Sequence, residues 1–330
     1  MIILWLIGFS FAYGHYIEKP FFTRNENNHR QKQCGFHYLP AATKEKGPAF
    51  ISMGGRLVYP NEYPFSVHVS ESCSGVLISK RYVLTAAHCV VKSKNHMQQI
   101  QMCRRGHWNA HRVDKCVLEP AVLRIYPGSG CPEPESCTPN RTMYRGISIV
   151  PHPEYNLCNF ANDIALIELE KDVSEEDGAP ICMPEEKELL SDELAVVGYG
   201  ANPMAKKPYA PALRVVKFNK YRQRNGEIIT IDPRRDTYFD DDGGPLFKNN
   251  SGVLTIVGIT SHGPFSEPPF LCLIKRKVRV SYYTDVRKHL DWICENSDVC
   301  PDVVDDNCEH EEDDGETESR KPNDTHENED

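Results

Sequence analysis

The chain predicts an all-β domain closed by one C-terminal helix, and three observations lead there. Short runs of β-branched and apolar residues recur between turn residues across residues 52–296. Examples are Pro64-Phe65-Ser66-Val67-His68-Val69, Gly75-Val76-Leu77-Ile78 and Val253-Leu254-Thr255-Ile256-Val257-Gly258. Strands at this spacing build a sandwich or a barrel. Near the end of the stretch the period changes: Val286, Leu290 and Ile293 fall on one helical face, with Trp292 beside it. Thirteen cysteines in 330 residues then indicate an oxidising compartment and a disulfide framework rather than a cytosolic thiol enzyme.

Four segments follow in order. Residues 1–14 (MIILWLIGFSFAYG) are uncharged and apolar and end in small residues, the pattern of a secretory signal peptide, with a buried N-terminal strand as the alternative. That run is too short to span a bilayer and no later one is apolar for long enough, so no membrane span is expected. Residues 15–51 form a polar extension with a single cysteine, Cys34. Residues 52–297 carry the β-rich texture, and residues 298–330 form an acidic tail. Within that tail, residues 301–330 hold 14 Asp/Glu and 2 Lys/Arg, a local charge of −12, so the net −9 leaves −9 + 12 = +3 on the rest. With almost no large apolar residues the tail is expected to be disordered. It serves solubility, docking to a basic partner or, through His310 and His326, weak cation binding, although no metal-site spacing is present. Asn140, Asn249 and Asn323 begin Asn-x-Ser/Thr sequons, as expected of an exported glycoprotein.

The chemistry lies in three motifs. Leu84-Thr85-Ala86-Ala87-His88-Cys89 and Asn162-Asp163-Ile164-Ala165-Leu166 resemble the histidine and aspartate motifs of the chymotrypsin/trypsin-like serine protease family. The family's third motif, Gly-Asp-Ser-Gly-Gly-Pro, is here Asp240-Asp241-Asp242-Gly243-Gly244-Pro245. Further landmarks agree in order: Gly54-Gly55 before Pro64, Cys73-Ser74-Gly75, His152-Pro153-Glu154-Tyr155-Asn156, Ile181-Cys182-Met183-Pro184, Val197-Gly198-Tyr199-Gly200 and Ser261-His262-Gly263. The resemblance implies two antiparallel six-stranded β-barrels with the active site between them. The extension around Cys34, the extra cysteines and the tail resemble a divergent, nematode-type branch of that family.

Acyl transfer of this kind needs a hydroxyl nucleophile, a histidine base and a buried carboxylate that orients the imidazole. By resemblance His88 is the base and Asp163 the orienting carboxylate, and Ser261 lines the site beside it. Asp242 stands in place of the nucleophile. A carboxylate there has no proton to give His88 and attacks peptide carbonyls poorly, so an ion pair holding His88 as imidazolium is expected. Asp240 replaces a glycine whose N–H helps form the oxyanion hole, bringing negative charge where an oxyanion would develop. Asp241 keeps the position that pairs with a freed N-terminus on zymogen activation. The activating bond would fall after Ile51, which is not basic.

Asp236, six residues before Asp242, matches the pocket-base aspartate of enzymes that prefer Arg or Lys, and Ser261 and Gly263 belong to the same pocket. Tyr238 and the lengthened 264–280 segment depart from the pattern. The resemblance pairs Cys73 with Cys89 and Cys34 with Cys182. It leaves Cys103, Cys116, Cys131, Cys137, Cys158, Cys272, Cys294, Cys300 and Cys308 without assigned connectivity, at least one of them unpaired, with Cys308 the candidate. Five of these mark a stapled insertion between the His and Asp motifs. It also carries Arg104, Arg105, His107, His111, Arg112 and Lys115, a solvated loop or, alternatively, a polyanion patch. The expected function is that of a secreted, catalytically inactive protease homologue acting by protein binding. Its partners would be proteases, protease inhibitors or surface ligands, with no nucleic acid and no cofactor. Alternatives are an endopeptidase cleaving after Arg/Lys and a surface or matrix protein acting through its acidic tail.

Overall fold

The computed structural model describes residues 34–36, 55–69, 73–91, 103, 116–129, 141–200, 212–233, 237, 241–263, 279–297 and 299–300. The expected Asn140, Asn323, Asp236, Asp240, Ile51 and residues 301–330 of the tail lie outside them.

Six strands close on themselves as a barrel: β2 (Ser66–Val69), β3 (Cys73–Leu77), β4 (Tyr82–Thr85), β5 (Arg124–Pro127), β6 (Tyr144–Pro151) and β7 (Ala165–Leu169), in the order β2-β3-β4-β7-β6-β5. The strands β3, β4 and β7 are buried almost throughout, whereas β6 alternates between core and solvent over its first four residues, 144–147. Closure leaves this unit without edges to protect.

The second unit is an antiparallel sheet of eight strands. With β1 (Arg56–Leu57), β8 (Leu194–Gly198), β9 (Arg214–Phe218), β10 (Tyr221–Arg224), β11 (Glu227–Asp232), β12 (Pro245–Asn250), β13 (Val253–His262) and β14 (Arg279–Asp285), its order is β1-β9-β8-β12-β13-β14-β11-β10. The second unit of the expected two-barrel fold is thus present, with two outer strands, β1 and β10, added to it. The short β1 pairs with β9. Asn225 and Gly226, at φ +52° and +76°, form the two-residue turn with left-handed backbone that folds β10 back on β11. Leu194, Val196, Val216, Phe218, Ile228, Leu246, Val257 and Tyr283 form this unit's own core.

Tyr63, Phe65 and Phe247 knit the two units together, with ring centroids 5.5–5.9 Å apart in tilted and edge-on pairs. The expected C-terminal helix is α1 (Leu290–Asn296), with Leu290 and Ile293 buried, preceded by a tight turn over Val286–Lys288 that buries Val286. Among the described residues no helix is long and apolar enough to cross a membrane.

Candidate active site

The site forms where a loop of each unit meets the other. His88 sits in a single turn (Ala87–Cys89) directly after β4. Two anchors fix that turn: the Cys73–Cys89 disulfide, and the Thr85 hydroxyl donating to the Ser74 carbonyl at 2.8 Å. Asp163 precedes β7 at the end of a tightly folded loop, fully buried. Within that loop Phe160 and Asn162 adopt left-handed backbone (φ +58° and +54°), which bulky side chains avoid. The Phe160 N–H donates to the Asn156 carbonyl at 2.7 Å and the Asn162 amide to the Glu154 carbonyl at 3.2 Å. A disulfide between Cys103 and Cys158 pins the loop from the insertion side.

Asp163 gathers donors. Its Oδ2 accepts from His88 Nδ1 at 2.8 Å and from the Ser261 hydroxyl at 2.6 Å, and its Oδ1 accepts from the His88 backbone N–H at 2.9 Å. The Thr284 hydroxyl holds its carbonyl at 2.9 Å. On the far side of the imidazole, Asp242 Oδ2 lies 3.4 Å from His88 Nε2. Asp242 occupies the turn entering β12, which is held by the Ser74 N–H on the Asp242 carbonyl (2.8 Å) and the Gly244 N–H on the Asp241 carbonyl (2.9 Å). Glycine is obligatory in this turn. Gly243 has φ +84°, and a Cβ there would meet the Ser74 carbonyl at 2.3 Å.

Charge follows from this geometry. Burial disfavours an imidazolium, yet Asp163 and then Asp242 outweigh it and raise His88 well above the ordinary histidine range. Burial pushes Asp163 upward, but His88 and the Ser261 hydroxyl hold it below the usual carboxylate range. Asp242 lies above that range because burial exceeds its attraction to His88. The arrangement is an imidazolium clasped between two carboxylates, with side chains of His88 and Asp242 only 20% and 27% exposed.

The remaining positions are placed as follows. Asp241 Oδ1 accepts from the Gly200 N–H at 2.9 Å, and Gly198 and Gly200 leave the room its carboxylate fills. Ser261 is buried at the end of β13, and Gly263 is exposed just beyond it. Asn249 is exposed beside the Ser251-Gly252 turn, its side-chain oxygen accepting from the Gly252 N–H at 2.8 Å. Thr237, next to Asp236, is buried with its N–H on the Ser281 hydroxyl at 3.2 Å. Cys34 bonds Cys182, and Cys294 bonds Cys300. Cys116 is a free thiol, whereas Cys308, the candidate from sequence, lies outside the described residues.

Sequence reasoning missed an aromatic wall beside His88. His262 stacks on Tyr282 (centroids 4.6 Å, 5° between planes) and packs on Phe160 at 4.8 Å, and Phe160 meets His88 edge-on at 5.8 Å. Burial holds His262 down to about 4, so it is a neutral aromatic at physiological pH. Its place between Ser261 and Gly263 was the available signal.

Residues 2–300 match the nematode trypsin-6-like family. The chain belongs to that family. The chain is also similar to several arthropod proteins. Phenoloxidase-activating factor 3 of Holotrichia diomphalia is 31% identical over 277 residues, covering 75% of this chain and 72% of that protein. CLIP domain-containing serine protease B14 of Anopheles gambiae is 31% identical over 302 residues (75% and 77%). Melanization protease 1 of Drosophila melanogaster is 27% identical over 318 residues (81% and 75%). Within the trypsin-like pattern, the family member described here departs at the nucleophile turn and keeps the histidine and aspartate.

Proposed function

We propose that this chain is a secreted serine protease homologue without peptidase activity, which acts by binding other proteins. One observation carries the reading: a carboxylate, Asp242, faces His88 Nε2 at 3.4 Å, where acyl transfer needs a hydroxyl. In a working triad the histidine takes the nucleophile's proton as the hydroxyl oxygen bonds to the substrate carbonyl carbon. Asp242 has no such proton, and the imidazolium it stabilises cannot accept one. The other nearby hydroxyl, Ser261, is buried and donates to Asp163, so it does not replace the nucleophile.

Export is supported by the apolar run at residues 1–14 and by the disulfides, which persist in oxidising compartments. Binding would use the cleft and its surrounding loops, with proteases, protease inhibitors or surface ligands as partners. A second reading, cleavage after Arg or Lys, is supported by the relatives named as proteases and by the retained His88–Asp163 pair.

Purified protein incubated with Arg/Lys chromogenic peptides and a fluorophosphonate probe separates the two. No labelling and no turnover above a His88→Ala control is the expected result. Stoichiometric labelling, or turnover abolished by His88→Ala, would falsify it.

A further inference from the structure

The strand β10 ends the eight-stranded sheet among the described residues, so it presents an unpaired row of backbone N–H and C=O groups. Its charge is one-sided. Residues 194–226 contain no acidic side chain, but hold Lys206, Lys207, Arg214, Lys217, Lys220, Arg222 and Arg224. On the strand itself Arg222, Gln223 and Arg224 are exposed, as is Lys220 just before it. Arg224 faces Glu227 across the turn, whereas no described acidic group pairs with Lys220 or Arg222.

The same chain carries the complementary charge. Residues 302–314 contain Asp302, Asp305, Asp306, Glu309, Glu311, Glu312, Asp313 and Asp314, with no Lys, Arg or Pro, and they include the β-branched pair Val303-Val304. Such a segment can adopt extended pairing without a proline to interrupt it.

The structure also docks the turn before the C-terminal helix, which leads toward that segment, on the β10 hairpin. The Arg287 guanidinium donates to Gln223 Oε1 at 2.5 Å, and the Asp285 N–H donates to the Gly226 carbonyl at 3.0 Å. The turn that leads into α1 is thus docked on the β10–β11 hairpin. The helix α1 has seven residues, about 10 Å of rise. Cys300 is then tied back to Cys294 within it. Cys300, the last described residue, therefore lies on the order of 20 Å from β10, and thirteen extended residues reach roughly 40 Å.

We infer that β10 is a docking edge for the acidic segment 302–314 of this same chain, which adds to the sheet as a further strand alongside Arg222 and Arg224. Main-chain hydrogen bonds supply the pairing and the arginines supply the selection for an acidic strand. Tethering makes the segment's effective concentration at the edge of order millimolar without any partner. The consequence is a covered edge that resists pairing with another chain, and an acidic segment sequestered until a stronger basic partner or high salt releases it. This inference does not rest on the state of the catalytic site.

Amide hydrogen exchange on the full-length protein tests it, read at Tyr221–Arg224. At 20 mM salt the outward-facing amides should exchange at least about tenfold more slowly than at 0.5 M salt, where screening acts within a few ångströms. Two variants should remove the low-salt protection, Arg222→Glu with Arg224→Glu, and separately Asp302→Asn with Asp305→Asn and Asp306→Asn. The second leaves the folded sheet untouched, which guards against a misfolded edge. Protection should be independent of protein concentration. Exchange that ignores salt and both variants overturns the inference. So does protection that rises with protein concentration, which would assign the edge to a second copy.

Discussion

At the scale of single residues, Asp163 and then Asp242 raise His88 well above the ordinary histidine range. Deletion of one oxyanion donor costs on the order of 10²–10³ in rate, and loss of a triad member costs several decades more. Asp242 does more than omit a hydroxyl, because its charge helps hold His88 protonated when catalysis needs it neutral. The effect on stability has a definite sign. His88 titrates higher in the folded state than the roughly 6.5 of an unfolded chain, so its contribution is complete below about pH 6.5 and is lost as pH rises through the folded value. Asp242→Asn removes one of the two carboxylates that raise it. The His88 ring titration, followed by NMR, should move to lower pH in Asp242→Asn than in the parent. The decline of thermal stability as pH rises above about 6.5 should become shallower. An unchanged titration would mean that Asp163 alone sets the charge of His88.

At the scale of elements, the loop ending at Asp163 depends on a bond far away in sequence. Cys103–Cys158 spans 55 residues, and closing a loop of that size is worth about 4 kcal/mol by chain entropy. The same bridge sits two residues from Phe160, whose left-handed backbone and ring contacts with His88 and His262 need outside support. Replacing Cys103 and Cys158 by serine should lower global stability by about 2–4 kcal/mol in denaturant unfolding. It should also speed amide exchange in residues 156–163 more than in β4 or β13. Equal acceleration everywhere would reduce the bridge to a simple crosslink. Much of this region was legible in the sequence, because the motif around Asp163 and the density of cysteines in the insertion are local signals. The partner of Cys103 was not, since spacing does not encode connectivity. Nor was the aromatic wall, because Phe160, His262 and Tyr282 come from three separate segments and meet only in the folded chain. The β10–β11 hairpin was legible in principle, since Asn225-Gly226 is a strong turn signal.

At the scale of the whole molecule, the protease architecture does not depend on the residue at position 242, because different residues carry the fold and the proposed loss of chemistry. The barrel, the Tyr63–Phe65–Phe247 contact and the Cys34–Cys182 tether owe nothing to the nucleophile. They keep Asp163, His88 and Ser261 within hydrogen-bonding reach even with Asp242 opposite. The alternation and order of motifs made this architecture readable from sequence. The eight-strand second sheet was less so, because β1 has only two residues and β10 is marked by its turn rather than by any periodicity. If the scaffold is intact, the chemistry should be recoverable by few changes. Asp242→Ser restores the hydroxyl, Asp240→Gly removes the negative side chain from the oxyanion turn, and Ile51→Arg supplies a bond that trypsin can cut. The triple variant, after limited trypsin cleavage, should label with a fluorophosphonate and hydrolyse Arg/Lys peptides, while Asp242→Ser alone should gain far less. Activity in the triple variant that Asp236→Ala abolishes would assign recognition of the basic side chain to that carboxylate. A cleaved triple variant that binds a small basic inhibitor such as benzamidine but does not label would locate the fault at the nucleophile turn. Failure to bind the inhibitor would locate it in the pocket instead.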